Sequence, residues 1–226
     1  MPAQSYGRLR FILGFALFFT ALWFLWDTPL VYPLKIFVVL LHEVSHAVVA
    51  VVTGGTIERI ILDPREGGAC YCPGGNTFLT LSAGYLGSLL WGGLMFVAAT
   101  AERVKTEWVN GLIGVLVIGL TMLYVRSEFG FVFGLLFGLS MVVVSQKLAP
   151  MLNRTLLLTL GLTSALYAIL DIKSDVLDRP EVRSDAAMLS EITGIPTLAW
   201  GTLWILLALV FCFWMLRRAY RGAGNT

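Results

Sequence analysis

Charged residues are scarce in this sequence of 226 residues. Asp, Glu, Lys and Arg together make up 13% of the chain, whereas hydrophobic residues make up 58%. Soluble globular proteins carry about 25% charged residues, so this composition excludes that class. Several apolar runs reach or approach the roughly 20 residues that a membrane-spanning helix requires. We therefore expect an all-α polytopic membrane protein, a single domain over residues 1–226, with about six to seven transmembrane helices in the lipid bilayer.

The net charge is also small and cysteines are few, and both observations limit the partners and bonds that we expect. The net charge of +2 gives no reason to expect a nucleic-acid partner. The three cysteines, Cys70, Cys72 and Cys212, are an odd number and do not form a disulfide framework. We interpret the pair Cys70 and Cys72 as two loop thiols. A second metal site is the less favoured alternative, because no further cysteine or histidine pair remains to complete it.

The two histidines of the chain lie four residues apart inside an apolar run. On a helix, His42 and His46 share one face, so both imidazoles can bind one metal ion. With Glu43 they match the zinc-hydrolase pattern H-E-x-x-H, in which the glutamate is the general base. A chance match on a solvated helix is the alternative, but the apolar flanks leave no solvated face. Ionisable groups at membrane depth are costly, so we predict a Zn²⁺ site here.

The rest of the chain divides into apolar segments and two polar stretches. The segment with the histidine pair covers about residues 34–53, and the polar stretch 56–77 follows it. β-Branched residues and turn signals in that stretch predict a small β-hairpin beside the metal-binding helix. The other apolar segments cover about 11–26, 78–100, 111–125, 129–146, 155–171 and 198–216, and the second polar stretch is 172–197. Small residues such as Gly84 and Gly87 indicate close helix packing rather than chemistry.

A catalytic zinc ion requires three protein ligands and one open position, so a third ligand must come from elsewhere in the chain. If the three segments after the hairpin each cross the membrane, the segment ending at Asp171 runs parallel to the metal-binding helix. Asp171 then lies near the same membrane face as the histidines and is the leading candidate. Asp185, at the start of the next predicted helix, is the runner-up. We interpret Asp175 and Asp178 as solvated loop residues.

These motifs together resemble the site-two protease family of intramembrane zinc metallopeptidases, particularly its compact branch without added domains. The resemblance covers His42–Ala47, the glycines that close this helix, the β-rich stretch after it, Ala83–Gly87 and Leu170-Asp171. Ile172 stands where the family has glycine, and Thr163 stands about where it has asparagine. The element Ser184-Asp185-Ala186 resembles the compact branch as well, so Asp185 stays an alternative ligand.

The resemblance implies a zinc metalloendopeptidase that cleaves transmembrane protein substrates, with its active site near the cytoplasmic face. In that interpretation Glu43 is the catalytic general base, and His42, His46 and Asp171 hold the zinc ion. It further implies that the hairpin can pair with an unwound substrate segment. A non-catalytic metal-binding membrane protein, such as a degenerate protease or an interaction protein, is the alternative. A metal transporter is less favoured, because segments 78–100, 111–125 and 129–146 have almost no internal polar residues.

Overall fold

The computed structural model describes residues 3–25, 28–65, 67–178 and 183–222. Within these ranges the chain folds into eight α-helices and one two-stranded antiparallel hairpin, which confirms the predicted fold class. The elements are α1 (Ala3–Leu25), α2 (Tyr32–Val52), β1 (Arg59–Asp63), β2 (Gly67–Tyr71), α3 (Thr77–Thr100), α4 (Thr106–Tyr124), α5 (Glu128–Lys147), α6 (Pro150–Lys173), α7 (Asp185–Thr193) and α8 (Thr197–Gly222). A π-helical turn, Ser174–Asp178, extends α6.

Six of the described helices are long and apolar enough to cross a membrane, namely α2, α3, α4, α5, α6 and α8. The chain is therefore a multi-pass integral membrane protein. The apolar part of α1, Ile12–Leu25, is shorter than the other six. The count of spans in the described residues thus agrees with the lower end of the expected range.

Helices α2, α3 and α6 form the inner layer of the bundle. In α2, 67% of the most apolar window is buried, against 22% in α5 and in α8. The backbones of α3 and α6 approach closely, because a Cβ added at Gly92 would lie 2.7 Å from the carbonyl oxygen of Gly161. The hydroxyl of Ser164 also donates to the carbonyl of Ser88 at 2.7 Å. Small residues thus bring these two membrane helices together, as the sequence predicted for this segment.

The connection between α4 and α5 covers the outer edge of β1. The backbone N–H of Arg126 donates to the carbonyl of Ile60 at 3.0 Å, and the N–H of Leu62 donates to Ser127 Oγ at 3.0 Å. Ile60 and Leu62 are themselves buried. The α4–α5 turn therefore binds the outer edge of the hairpin, which is β1. The other strand, β2, faces the interior of the helix bundle.

Cys70 and Cys72 are joined by a disulfide, so our interpretation of them as two loop thiols is wrong. The two residues flank Tyr71, the last residue of β2. Side chains two positions apart on a strand leave the same face, which brings the two sulfurs together. The sequence shows the spacing, but it does not show that both sulfurs leave the strand on one side.

Candidate metal centre

Helix α2 presents both histidines to the N-terminal residue of α7. The carboxylate of Asp185 lies 3.0 Å from His42 Nε2 and 3.2 Å from His46 Nε2 through its Oδ2 atom. The two imidazole rings are 4.8 Å apart between centroids. Among the described residues, these three form the group whose ligand atoms all lie within 4.8 Å of one another.

Helix α7 begins at Asp185, as the sequence predicts, and Ser184 is its N-cap. Its hydroxyl accepts a hydrogen bond from the N–H of Ala187 at 3.3 Å, and Gly194 ends the helix in a left-handed conformation. Leu189 packs in a buried cluster with Trp204 of α8 and Tyr85 of α3. This packing folds the second polar stretch back over the bundle, which carries Asp185 to the histidines.

The leading sequence candidate, Asp171, lies on the opposite side of His42. Its Oδ2 atom is 3.7 Å from His42 Nδ1, the ring nitrogen that does not face Asp185. It is therefore close to the site but does not belong to the converging group of ligand atoms. The assignment of the third ligand stays a prediction, and this geometry favours Asp185.

Asp175 is not a solvated loop residue, so that expectation is wrong. It lies in the π-helical turn, half-buried, and its Oδ2 atom accepts a hydrogen bond from the hydroxyl of Tyr85 at 2.6 Å. Tyr85 is buried and packs edge-on against the His42 ring with centroids 4.9 Å apart. The side chain of Asp178 lies outside the described residues.

The Nδ1 atoms of His42 and His46, which face away from Asp185, have different surroundings. His46 Nδ1 lies 2.7 Å from the backbone carbonyl of Thr80, which can only accept, so Nδ1 carries a proton. In the neutral imidazole, Nε2 then keeps its lone pair for a metal. His42 Nδ1 is buried and has no hydrogen-bond partner among the described residues. The carboxylate of Asp171 is the group that faces it.

Gly84 provides the space that a metal ion between the imidazoles would need. A Cβ at this position would overlap His42 Nε2 and lie 2.6 Å from His46 Nε2. Any other residue would therefore fill the point where both ring nitrogens converge. Two imidazole nitrogens and one carboxylate oxygen form a usual donor set for zinc, and the residues present fit that ion. The same distances show that Gly84 lets α3 approach the histidine helix closely, which agrees with the packing role that the sequence indicated.

Glu43 is placed by the hairpin. Its side chain is buried on α2, and the backbone N–H of Cys70 in β2 donates a hydrogen bond to its carboxylate. A Cβ at Gly68 would lie 2.6 Å from Glu43 Oε1. Strand β2 therefore packs directly on this carboxylate, and glycine at position 68 is what allows the approach.

His42, Glu43, His46, Asp171 and Asp185 line one cavity of about 590 Å³. Residues 67–70 of the hairpin line the same cavity. Burial by itself raises the pKa of Asp185, but the charge of His46 and hydrogen bonds to both imidazoles lower it below its usual range. The carboxylate is therefore ionised at neutral pH, as metal ligation requires.

The sequence alone identified His42, Glu43, His46, Asp171 and Asp185 but missed the groups that orient them. The Thr80 carbonyl carries no side-chain signal, and Gly68 was noted as a turn residue. The motif Ala83–Gly87 was the available signal for Gly84 and Tyr85, yet it indicated only packing.

Comparison with known proteins gives one match. The family model described as Peptidase M50B-like matches residues 15–215, which cover nearly the whole bundle and every residue of the candidate site. No curated protein and no solved structure shows significant similarity to the chain.

Proposed function

The chain belongs to the Peptidase M50B-like family, a site-two protease family of metallopeptidases, and on this basis we propose that it is an intramembrane zinc metalloprotease. Its substrates would be membrane proteins, cleaved within or near the bilayer. The observation that carries the proposal is the convergence of His42, His46 and Asp185 beside Glu43. The two histidines and Glu43 all lie in one candidate membrane span.

His42 and His46 would hold the zinc ion through their Nε2 atoms, and Asp185 would hold it through a carboxylate oxygen. When bound, zinc supplies a Lewis acid that polarises the scissile carbonyl and lowers the pKa of a coordinated water towards neutrality. Glu43 then acts as the general base: it takes the proton of the attacking water and delivers it to the leaving amine. Its hydrogen bond from Cys70 keeps the carboxylate directed at the cavity.

The free edge of β2 would receive the substrate as an added strand. Ile60 and Leu62 direct their backbone groups towards the α4–α5 turn. Their partners across the antiparallel ladder are Cys70 and Gly68. The backbone groups of Cys70 and Gly68 therefore point away from β1. The N–H of Cys70 is directed at Glu43, so a substrate strand would pair with the carbonyl of Cys70 and the backbone groups of Gly68. An extended peptide that pairs there would run alongside Glu43, which suits a transmembrane segment that must unwind before cleavage.

We further place the hairpin and α7 on the cytoplasmic side of the membrane. An active site there would cleave substrates near the cytoplasmic end of their spans. Helices α3, α4 and α5 each have the length to cross. With three crossings between them, the ends of α2 and α6 lie on one side, which agrees with the contact between the α4–α5 turn and β1.

Substituting Glu43→Gln in protein reconstituted into liposomes tests the proposal. We expect cleavage of a transmembrane substrate to fall by at least about 100-fold, the lower range for loss of a general base, while zinc content stays stoichiometric. His46→Ala should lose both cleavage and zinc. Glu58→Gln, at an exposed glutamate of the hairpin, is the matched control and should keep both. Cleavage by Glu43→Gln at the wild-type rate would overturn Glu43 as the general base, and wild-type protein that binds zinc but cleaves no membrane substrate would favour a non-catalytic metal-binding protein instead.

A further inference from the structure

We infer that Asp171 is a positioning residue for His42 and not the third metal ligand. Its carboxylate faces His42 Nδ1 at 3.7 Å and would accept the Nδ1–H when a metal occupies Nε2, which fixes the ring with Nε2 directed at the metal. This inference rests on the proposed zinc site and deepens it. It assigns different tasks to the two aspartates that the sequence left as alternatives.

The inference depends on which carboxylate faces each nitrogen of the His42 ring. The Nε2 edge faces Asp185 Oδ2 at 3.0 Å, and the Nδ1 edge faces Asp171 Oδ2 at 3.7 Å. A metal on Nε2 leaves the proton on Nδ1, and a buried N–H requires an acceptor. Because His42 Nδ1 has no hydrogen-bond partner among the described residues, Asp171 is the acceptor that the fold supplies.

His46 shows the same arrangement with a different acceptor. Its Nδ1 is held at 2.7 Å by the carbonyl of Thr80 in α3. Each imidazole of the pair is thus backed by an oxygen on the side away from the metal position, one from the backbone and one from a carboxylate. Metal-ligating histidines usually have such a partner, which sets the tautomer and the ring orientation.

The surroundings of Asp171 fix its place on the Nδ1 side. The next residue, Ile172, is 1% exposed and packs in the cluster beneath α7, which anchors the end of α6. The Tyr85 ring packs edge-on against His42 and ties the π-helical turn through Asp175. Asp171 therefore cannot join the converging ligand atoms without passing around the His42 ring.

The test measures metal affinity and coordination rather than activity. Metal-free protein in detergent is titrated with Co²⁺ against a chelator of known affinity, and the visible absorption of bound Co²⁺ reports the ligand set. For Asp171→Ala we expect an unchanged spectrum and affinity lower by about 10- to 100-fold, as for other losses of such a partner. Asp171→Asn should recover most of the affinity, because its side-chain carbonyl still accepts the Nδ1–H.

Asp185→Ala is the contrasting variant and should change the Co²⁺ spectrum, since it removes a ligand. Asp63→Asn makes the same substitution at a half-exposed aspartate of β1 that does not line the cavity; it is the matched control and should change neither the spectrum nor the affinity. A changed spectrum in Asp171→Asn, or loss of stoichiometric Co²⁺ from that folded variant, would make Asp171 a ligand and overturn the inference. Affinity of Asp171→Ala equal to wild type would overturn it as well. Wild-type protein that binds no Co²⁺ would instead overturn the proposed zinc site.

Discussion

At the residue scale, glycines decide whether the site can form. In α3, Gly84 leaves open the point where His42 Nε2 and His46 Nε2 converge. A helix in lipid gains nothing from the flexibility of glycine at this position, and alanine is the better helix former. The glycine is therefore explained by the space it leaves for an ion.

We predict that Gly84→Ala abolishes stoichiometric zinc binding and lowers cleavage by more than about 100-fold, because the added methyl group occupies the metal position and removes the ion that activates the water. The bundle should still fold, since alanine has the higher helix propensity. Zinc content by mass spectrometry, with cleavage in liposomes, measures the effect.

Gly119→Ala is the control for this substitution. It makes the same change in a membrane helix where the added Cβ meets no atom within 4 Å, and it should keep zinc and activity. Stoichiometric zinc in folded Gly84→Ala would show that the metal is held elsewhere.

At the element scale, the β-hairpin is the part of the fold that positions Glu43 on the histidine helix α2. The α4–α5 turn holds β1 from outside through Arg126 and Ser127, and β2 rests on Glu43 through Gly68. The turn between two membrane helices thus sets the position of the hairpin whose inner strand packs on Glu43.

We predict that Gly68→Ala lowers cleavage strongly while zinc binding stays intact. Its Cβ would lie 2.6 Å from Glu43 Oε1, so either the carboxylate or the strand must move, and displacement of about 1 Å can cost about 100-fold in rate. The rate constant kcat for a transmembrane substrate and the zinc content are the two measurements.

Gly67→Ala, one residue earlier in β2, is the matched control. Its Cβ would meet only Asp63 Cβ at 3.7 Å, an ordinary contact distance. Equal kcat in both variants would contradict the contact between β2 and Glu43.

The elements predicted from the sequence were mostly right, and the errors have local physical causes. Hydropathy identified the membrane helices, but it placed the start of α6 near residue 155, whereas the helix begins at Pro150. The sequence predicts a loop over residues 146–154, with Pro150. Asn153 in this stretch is instead buried in α6, and its Nδ2 atom donates to the carbonyl of Leu148 beyond α5. In a sequence, a buried asparagine whose side-chain amide is hydrogen-bonded cannot be distinguished from an asparagine that is exposed to solvent.

At the scale of the whole molecule, the position of Asp185, the proposed third ligand, depends on a fold-back that sequence patterns do not encode. Asp185 is 143 residues from His42 along the chain, and a short amphipathic helix delivers it. The expected depth of the residues in the membrane favoured Asp171. The structure places its carboxylate 3.7 Å from His42 Nδ1. Which ring nitrogen each carboxylate faces is set by the packing of α7 on α3 and α8, and that required the structure.

Membrane topology gives a prediction for the whole molecule. Cysteine introduced at Glu58, on the hairpin side, should react with an impermeant maleimide only in vesicles that expose the cytoplasmic face. Cysteine at Lys105, between α3 and α4, should react only from the opposite side, because α3 spans the membrane between them. The parent protein gives the background from its own cysteines. Labelling of both positions from one side would contradict the crossing of α3, and reversed labelling would contradict the cytoplasmic placement.

Zinc K-edge X-ray absorption on the purified protein tests the central claim most directly. The account predicts one zinc ion per chain with two imidazole nitrogens and carboxylate oxygen at about 2.0–2.2 Å, and no sulfur. Zinc bound through sulfur at about 2.3 Å would place the ion on a cysteine and not on the histidine pair, and would contradict the account. So would purified, folded protein that retains no zinc.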